Sequence, residues 1–235
     1  VGSVFRGSQS DDIWIRKYTE AGATTWTRTA TGTGGDNDEG HAIAADADGN
    51  VLVTGYVWAG AEGRDLWVRK YDPAGNELWT QIYTGPGASS DEGNGIAADS
   101  AGNVIVTGFH TVAETGRDVW VRKYDPSGGE LWTQTYDAPQ HDTDLGRAVA
   151  VDVDDAIVVV GSVFRGSQSD DIWIRKYDPD GNELWTSTYT SEGFGSDAAN
   201  GVATDPSGNI AVGGAETRSD LGEYRNAWVR RILQE

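Results

Sequence analysis

Hydrophobic and polar residues alternate with a period of two along most of the chain, and no stretch keeps the period of an amphipathic helix. In DVWVRKY at 118–124, Trp120, Arg122 and Tyr124 fall on one face of an extended chain, and Val119 and Val121 on the other. LWTQTY at 131–136 places Trp132, Gln134 and Tyr136 together. VIVTG at 104–108 is apolar enough for burial on both faces. With GIAAD at 95–99 these segments make four strands, A (95–99), B (104–108), C (118–124) and D (131–136) in chain order. The A–B connections read ADADGN, ADSAGN and TDPSGN, and the C–D connections YDPAGNE, YDPSGGE and YDPDGNE. Proline presets φ early in such a turn, and glycine supplies the positive φ that closes a short hairpin. VDVDDAI at 151–157 lacks that glycine and is expected to turn differently.

The four-strand pattern recurs. Trp14, Trp67, Trp120, Trp173 and Trp228 are spaced 53, 53, 53 and 55 residues apart, and Trp26, Trp79, Trp132 and Trp185 keep the step of 53. Two aspartate series share it: Asp38, Asp91, Asp144, Asp197, and Asp46, Asp99, Asp152, Asp205. A four-stranded antiparallel unit of this length cannot bury both faces alone, whereas radial stacking buries them. The expected fold is therefore all-β, a single β-propeller domain over 1–235. Its repeats run approximately 1–40, 41–93, 94–146, 147–199 and 200–235, the first and last incomplete.

Closure has two solutions. The chain starts at strand B and stops after strand C, so the incomplete ends form separate blades of a five-bladed ring, the favoured form, or strand D at 24–30 completes the last set. The second solution leaves four closed blades and a spare hairpin. Residues 1–18 are identical to 160–177, while the next twelve positions match at only four. Gene conversion within the array explains this, as does an engineered or recombined origin. The absence of methionine, even at position 1, points to a piece of a longer chain.

The pattern DxGxxIAxDxxGNxxVTG followed by DxWVRKYDxxGNxLWTxxY resembles the bacterial β-propeller repeat family (SBBP-like repeats) of secreted and surface proteins. YDPAGNELW is similar to the tryptophan-docking motif of quinoprotein propellers. The resemblance spans essentially the whole chain. It implies a scaffold fold and a bacterial extracellular or cell-surface setting, and no particular ligand.

Charge narrows the partners. Thirty-seven acidic against eighteen basic residues give a formal charge of −19, which disfavours nucleic acid and anionic membranes. No apolar run is long enough for a membrane helix. Cysteine is absent, which removes disulfides, thiolate metal sites and cysteine nucleophiles.

A–B and C–D turns share one edge of the ring, and the long, variable B–C loops and D–A linkers share the other. Binding residues favour variable loops on a rigid scaffold, so a protein or glycan partner is expected on this second edge. Asp38, Asp91, Asp144 and Asp197 each precede strand A there. They are either a cation site, with calcium as the ion that prefers oxygen ligands, or caps on local backbone N–H groups. The Asp46 series is read as turn formers and the tryptophans as inter-blade packing. Trp58, in a B–C loop, is a candidate contact residue, with loop packing as the other reading. His110 is a second such candidate. His141, near Asp142 and Asp144, is the third. Arg16, Arg69, Arg122 and Arg175 are expected to stack on aromatic rings or pair with an aspartate of the neighbouring blade. No nucleophile elbow, zinc motif or phosphate loop is present. The favoured function is a non-catalytic interaction or scaffold propeller without a cofactor. The alternatives are a lectin-like or calcium-binding propeller, a recombined propeller without native function, and a fragment of a propeller enzyme. The unmatched terminal strands offer a route to self-association.

Overall fold

Period-two patterning yields eighteen strands among the described residues, paired into five antiparallel sheets in chain order. The computed structural model describes residues 1–6, 9–60, 63–87, 89–166, 169–191, 195–218 and 225–233, and of residues 5, 6, 9 and 10 the backbone alone. Blade 1 holds β1 (Gly2–Arg6), β2 (Gln9–Tyr18) and β3 (Thr24–Ala30). Blade 2 holds β4 (Glu39–Ala45), β5 (Val51–Trp58), β6 (Arg64–Tyr71) and β7 (Glu77–Tyr83). Blade 3 holds β8 (Glu92–Ala98), β9 (Val104–Val112), β10 (Gly116–Tyr124) and β11 (Glu130–Tyr136). Blade 4 holds β12 (Leu145–Val151), β13 (Ile157–Phe164), β14 (Asp170–Tyr177) and β15 (Glu183–Tyr189), and blade 5 holds β16 (Ala198–Thr204), β17 (Ile210–Glu216) and β18 (Asn226–Ile232).

The A strands β4, β8, β12 and β16 lie next to one another, as the inner strands of a β-propeller do. Strand A begins three residues earlier than alternation indicates, at Glu92 rather than Gly95, because a β-bulge interrupts the pattern. Residues 151–157 turn as their counterparts do. Asp155 takes the left-handed conformation itself, at φ 60°, and its N–H donates to the Asp152 carbonyl at 3.1 Å. Its carboxylate then receives Ser100 N and Oγ of the blade before.

Each inner blade shows one face to its predecessor and a different face to its successor. Leu52, Leu66 and Val68 of blade 2 pack against Val104, Val106, Trp120 and Tyr124 of blade 3. Ile105, Val119 and Val121 of blade 3 meet Ile157, Val159, Trp173 and Tyr177 of blade 4 in the same way. Aromatic residues of strand D close the seam: Tyr83 lies 5.0 Å from Trp120, and Tyr136 lies 5.3 Å from Trp173, between ring centroids. The second tryptophan series docks forward. Trp26, Trp79 and Trp132 donate Nε1–H to the carbonyls of Pro73, Pro126 and Pro179 in the next blade's C–D turn, at 3.1, 3.0 and 3.1 Å. Their rings cover Gly75, Gly128 and Gly181, where a Cβ would stand under 3 Å from ring carbon.

The arginines stack as expected, but their ion pairs stay inside the blade. Arg122 lies 4.6 Å from the Tyr83 ring of the blade before and 3.2 Å from Glu130 of its own strand D. The reason is register. Across the C–D hairpin Arg122 faces Thr133, and Glu130 lies three residues from Thr133 along the same strand. Lysine takes the aspartate instead: Lys70, Lys123 and Lys176 reach Asp46, Asp99 and Asp152 of their own A–B turns at 2.9, 2.9 and 2.7 Å, all buried.

The two ends remain separate three-stranded sheets, β1-β2-β3 and β16-β17-β18, and β3 pairs with β2 alone. Their outward faces differ. Tyr18 is 52% exposed where Tyr124 is 2%, so the aromatic face of blade 1 is uncovered but full-sized. The outward face of blade 5 is trimmed: Ala211 and Ala227 stand where blade 3 has Ile105 and Val119, and Val229 is 80% exposed.

Candidate functional site

The site search begins with the aspartates before strand A, because they organise the loop edge. Asp38, Asp91, Asp144 and Asp197 are all buried. Each carboxylate accepts two backbone N–H groups, one from the linker before it and one from the B–C loop of its own blade. Asp38 takes Gly32 at 2.6 Å and Trp58 at 2.7 Å. Asp91 takes Gly85 at 2.5 Å and Thr111 at 2.8 Å. Asp144 takes Ala138 and, at 2.9 Å, Phe164. Asp197 takes Ser191 at 2.8 Å and Thr217 at 2.7 Å. Their own N–H groups donate to the carbonyls of Asp11, Arg64, Arg117 and Asp170 at the start of the preceding strand C. These are caps that staple each loop to two blades. They do not converge on one ion: among the described residues no cluster of three or more His, Asp or Glu side chains is placed to hold a metal. Burial raises the carboxyls of Asp91 and Asp144 to about 6, against the lowering effect of their N–H partners.

The three loop candidates lie apart. Trp58 is half-buried at the end of β5, where its backbone N–H binds Asp38 and its ring packs on Gly34 of the linker. His110 is not an exposed contact residue. It is 7% exposed within β9, its Nδ1 lies 3.0 Å from Tyr83 Oη, and burial together with Arg122 lowers its pKa. Strand B extends to Val112, which carries His110 into the blade interface rather than onto a loop. His141 is exposed, at φ 52°, with Nδ1 2.6 Å from Asp137 Oδ2.

A different set of residues comes together at the channel mouth on the loop edge. The inner strands share a β-bulge, between Gly40 and Ala42, Gly93 and Gly95, Gly146 and Ala148, and Ala199 and Gly201. The bulged residues are His41, Asn94, Arg147 and Asn200. A bulge re-aims its side chain. His41 Nδ1 lies 3.2 Å from Asn94 Oδ1, and Asn94 Nδ2 donates to the Gly146 carbonyl at 2.9 Å, linking blades 2, 3 and 4.

Asn94, Arg147 and Asn200 line a hollow of about 370 Å³ together with Glu92 and Arg117, with Phe109 and Leu145 as its apolar wall. Glu92 is occupied: its Oε1 lies 2.6 Å from Arg64 Nη1. The Arg117 guanidinium lies 4.5 Å from the Phe109 ring. Among the described residues Arg147 hydrogen-bonds the Ser162 hydroxyl alone, at 3.4 Å from Nε and Nη2, and forms no ion pair. Burial lowers its pKa, with Asp170 opposing and Arg225 adding to the shift. Alternation hid this site, because the bulge breaks the period at the residues concerned. The usable signal was a pair of small residues around one polar residue ahead of strand A, Gly-x-Gly, Gly-x-Ala or Ala-x-Gly, with x read as His, Asn, Arg and Asn.

No protein-family profile matches the chain. An uncharacterized WD repeat-containing protein of Acanthamoeba polyphaga mimivirus is 30% identical over 132 residues, 48% of this chain and 9% of that protein. The regulatory protein FlaEY of Caulobacter vibrioides is 30% identical over 132 residues, 50% of this chain and 13% of that protein. The chain thus spans a small part of the length of either relative. Among solved structures, a subtype N11 neuraminidase-like protein of A/flat-faced bat/Peru/033/2010 (H18N11) aligns at a TM-score of 0.48 with 11% identity, over 97% of this chain and 69% of that one. A repeat fold is what the WD repeat-containing relative and the five antiparallel sheets have in common.

Proposed function

We propose that the chain is a non-catalytic interaction module that holds a protein partner on its loop edge, at and around the channel mouth. One observation carries the reading. Residues that build the scaffold repeat unchanged from blade to blade, as Asp38, Asp91, Asp144 and Asp197 do, whereas the bulged positions read His41, Asn94, Arg147 and Asn200 on the same backbone. The position at the start of strand C likewise reads Asp11, Arg64, Arg117, Asp170 and Arg225. A merely structural position would keep one residue type, while a surface that meets an asymmetric partner needs different ones.

The three histidines lie apart, His41 against Asn94 and Glu39, His110 against Tyr83 and Asp118, and His141 against Asp137, and they share no common site, which supports a binding reading. The two relatives, one a WD repeat-containing protein and one a regulatory protein, fit an interaction role. The repeat resemblance adds a bacterial surface or extracellular setting. No helix of the described residues is long and apolar enough to cross a membrane.

The test is peptide display against the immobilised chain, with each recovered peptide mapped by hydrogen exchange. Protection is expected in the linkers and B–C loops around residues 31–38, 58–64, 111–117 and 137–144. Peptides that protect only the A–B and C–D turns would overturn the reading, as would turnover of a glycoside or lactone substrate.

A further inference from the structure

We infer that the hollow between blades 3, 4 and 5 binds a carboxylate, as the acidic side chain or C-terminus of a protein partner, through Arg147 and Arg117. The inference rests on the interaction reading above and names the chemistry that reading leaves open.

The chain carries a formal charge of −19, yet this hollow is lined by two arginines and one glutamate. The glutamate is already neutralised by Arg64 at 2.6 Å. What remains is a local excess of positive charge in a strongly acidic molecule. Two arginines near the loop edge have carboxylate partners, Arg64 with Glu92 and Arg165 with Asp171. Arg147 departs from these: among the described residues its hydrogen-bond partner is a hydroxyl at the limit of hydrogen bonding, with Asp170 acting on it electrostatically. A half-buried guanidinium with no carboxylate of the described residues in contact has lost water with only the field of Asp170 to offset it, and a bidentate carboxylate supplies both the hydrogen bonds and a close ion partner.

The surroundings select the kind of anion. Asn94 and Asn200 add amide donors from two other blades, and Phe109 and Leu145 offer an apolar wall for a short aliphatic stem. Asp170 and Arg225 both act on Arg147 electrostatically, so the wider field contains opposing charges. That field, together with the overall negative charge, favours a singly charged ligand over a phosphate dianion. About 370 Å³ accommodates an acidic side chain with its adjoining backbone. The arginines belong to different elements, Arg117 to β10 and Arg147 to β12, and the Asp144 staple fixes one against the other by accepting from Phe164 and donating to the Arg117 carbonyl.

The experiment is an NMR titration at low ionic strength with the capped tripeptide acetyl-Gly-Glu-Gly-amide, followed at side-chain amides. Its glutamine counterpart and inorganic phosphate are the comparisons. The expected result is saturable shifts at Asn94 and Asn200 with the glutamate peptide, at least tenfold weaker binding of the glutamine peptide, and loss of binding with added salt. Arg147→Gln should weaken the peptide at least tenfold. Arg117→Gln, at an exposed side chain, should weaken it about threefold by removing the second, more solvent-screened cation of the hollow. Absence of saturable shifts overturns the inference, as does binding that both variants leave intact. Phosphate binding as tight as the peptide overturns the carboxylate assignment. In each of these cases, displayed peptides that still protect the loops leave the interaction reading standing, so the two failures are distinguishable.

Discussion

Asp91 and Asp144 are buried charges held by backbone N–H groups, and pH reads their contribution directly. Their folded carboxyls titrate near 6, above the reference value of 3.8. A raised carboxyl favours the folded state while it is protonated, so this contribution is complete below about pH 4 and is lost as pH rises through 6. Asp46 and Asp99 behave oppositely. Burial works to raise them, but Asn50 and Lys70 around the first, and Lys123 and Asn103 around the second, leave both lowered. Their stabilisation is present above the reference value and fades as pH falls below it. The melting temperature is therefore expected to climb from neutral pH to a maximum at about pH 4–6 and to fall in stronger acid. Asp91→Asn should flatten the climb and cost about 1–3 kcal/mol, since one buried N–H loses its acceptor. An unchanged slope in a pH series of thermal melts would contradict the assignment. Calcium is expected to leave the melting temperature unchanged, because both oxygens of Asp38, Asp91, Asp144 and Asp197 already accept N–H groups. A saturable calorimetric signal would show otherwise.

At the level of the strand and its turn, Gly128 shows how one residue couples two blades. Its φ is 91°, and a Cβ there would stand 2.9 Å from the Trp79 ring. Gly128→Ala should cost about 2–4 kcal/mol, from left-handed strain plus displacement of the ring. A red shift of tryptophan emission should accompany the loss. Truncating Trp120 itself should cost about 3–5 kcal/mol. These elements were legible in the sequence because their residues are the repeat: alternation placed strands B, C and D, and the glycine turns placed the hairpins. The bulge was not legible. It inserts one residue into a pattern whose only signal is strict alternation, so Asn94 and Arg147 fall outside the strand that alternation marks, although they are strand. His110 misled for a related reason: an apolar run gives the middle of a strand but not its end. Lys70 and Lys123 escaped notice because a long cation with an apolar stem reads as surface, although its tip is buried on a turn aspartate.

Across the whole molecule, each blade is stabilised by its neighbours, and the first and last have one neighbour each. No strand ladder joins blade 1 to blade 5 among the described residues. Trp14 is half-buried where Trp67, Trp120 and Trp173 are fully buried. Opening is therefore expected to start at the ends. Hydrogen exchange should be fastest in β1–β3 and β18 and slowest in β9 and β13, and uniform protection across the five sheets would refute this.

The forward dock from each strand D tryptophan to the next blade's turn has a consequence for the gene. The bond from Trp79 to Pro126 spans 47 residues, as does that from Trp26 to Pro73. Both lie within one 53-residue period, so the contact depends on phase and not on the total number of periods. Unequal crossing-over that adds or deletes one whole period returns every tryptophan to a proline carbonyl and every aspartate to its two loops. A recombination that is not a whole number of periods breaks the contacts that span its junction. Such a gene is free to change its count and bound to keep its beat, and between the beats the bulged residue is left to diverge one copy at a time.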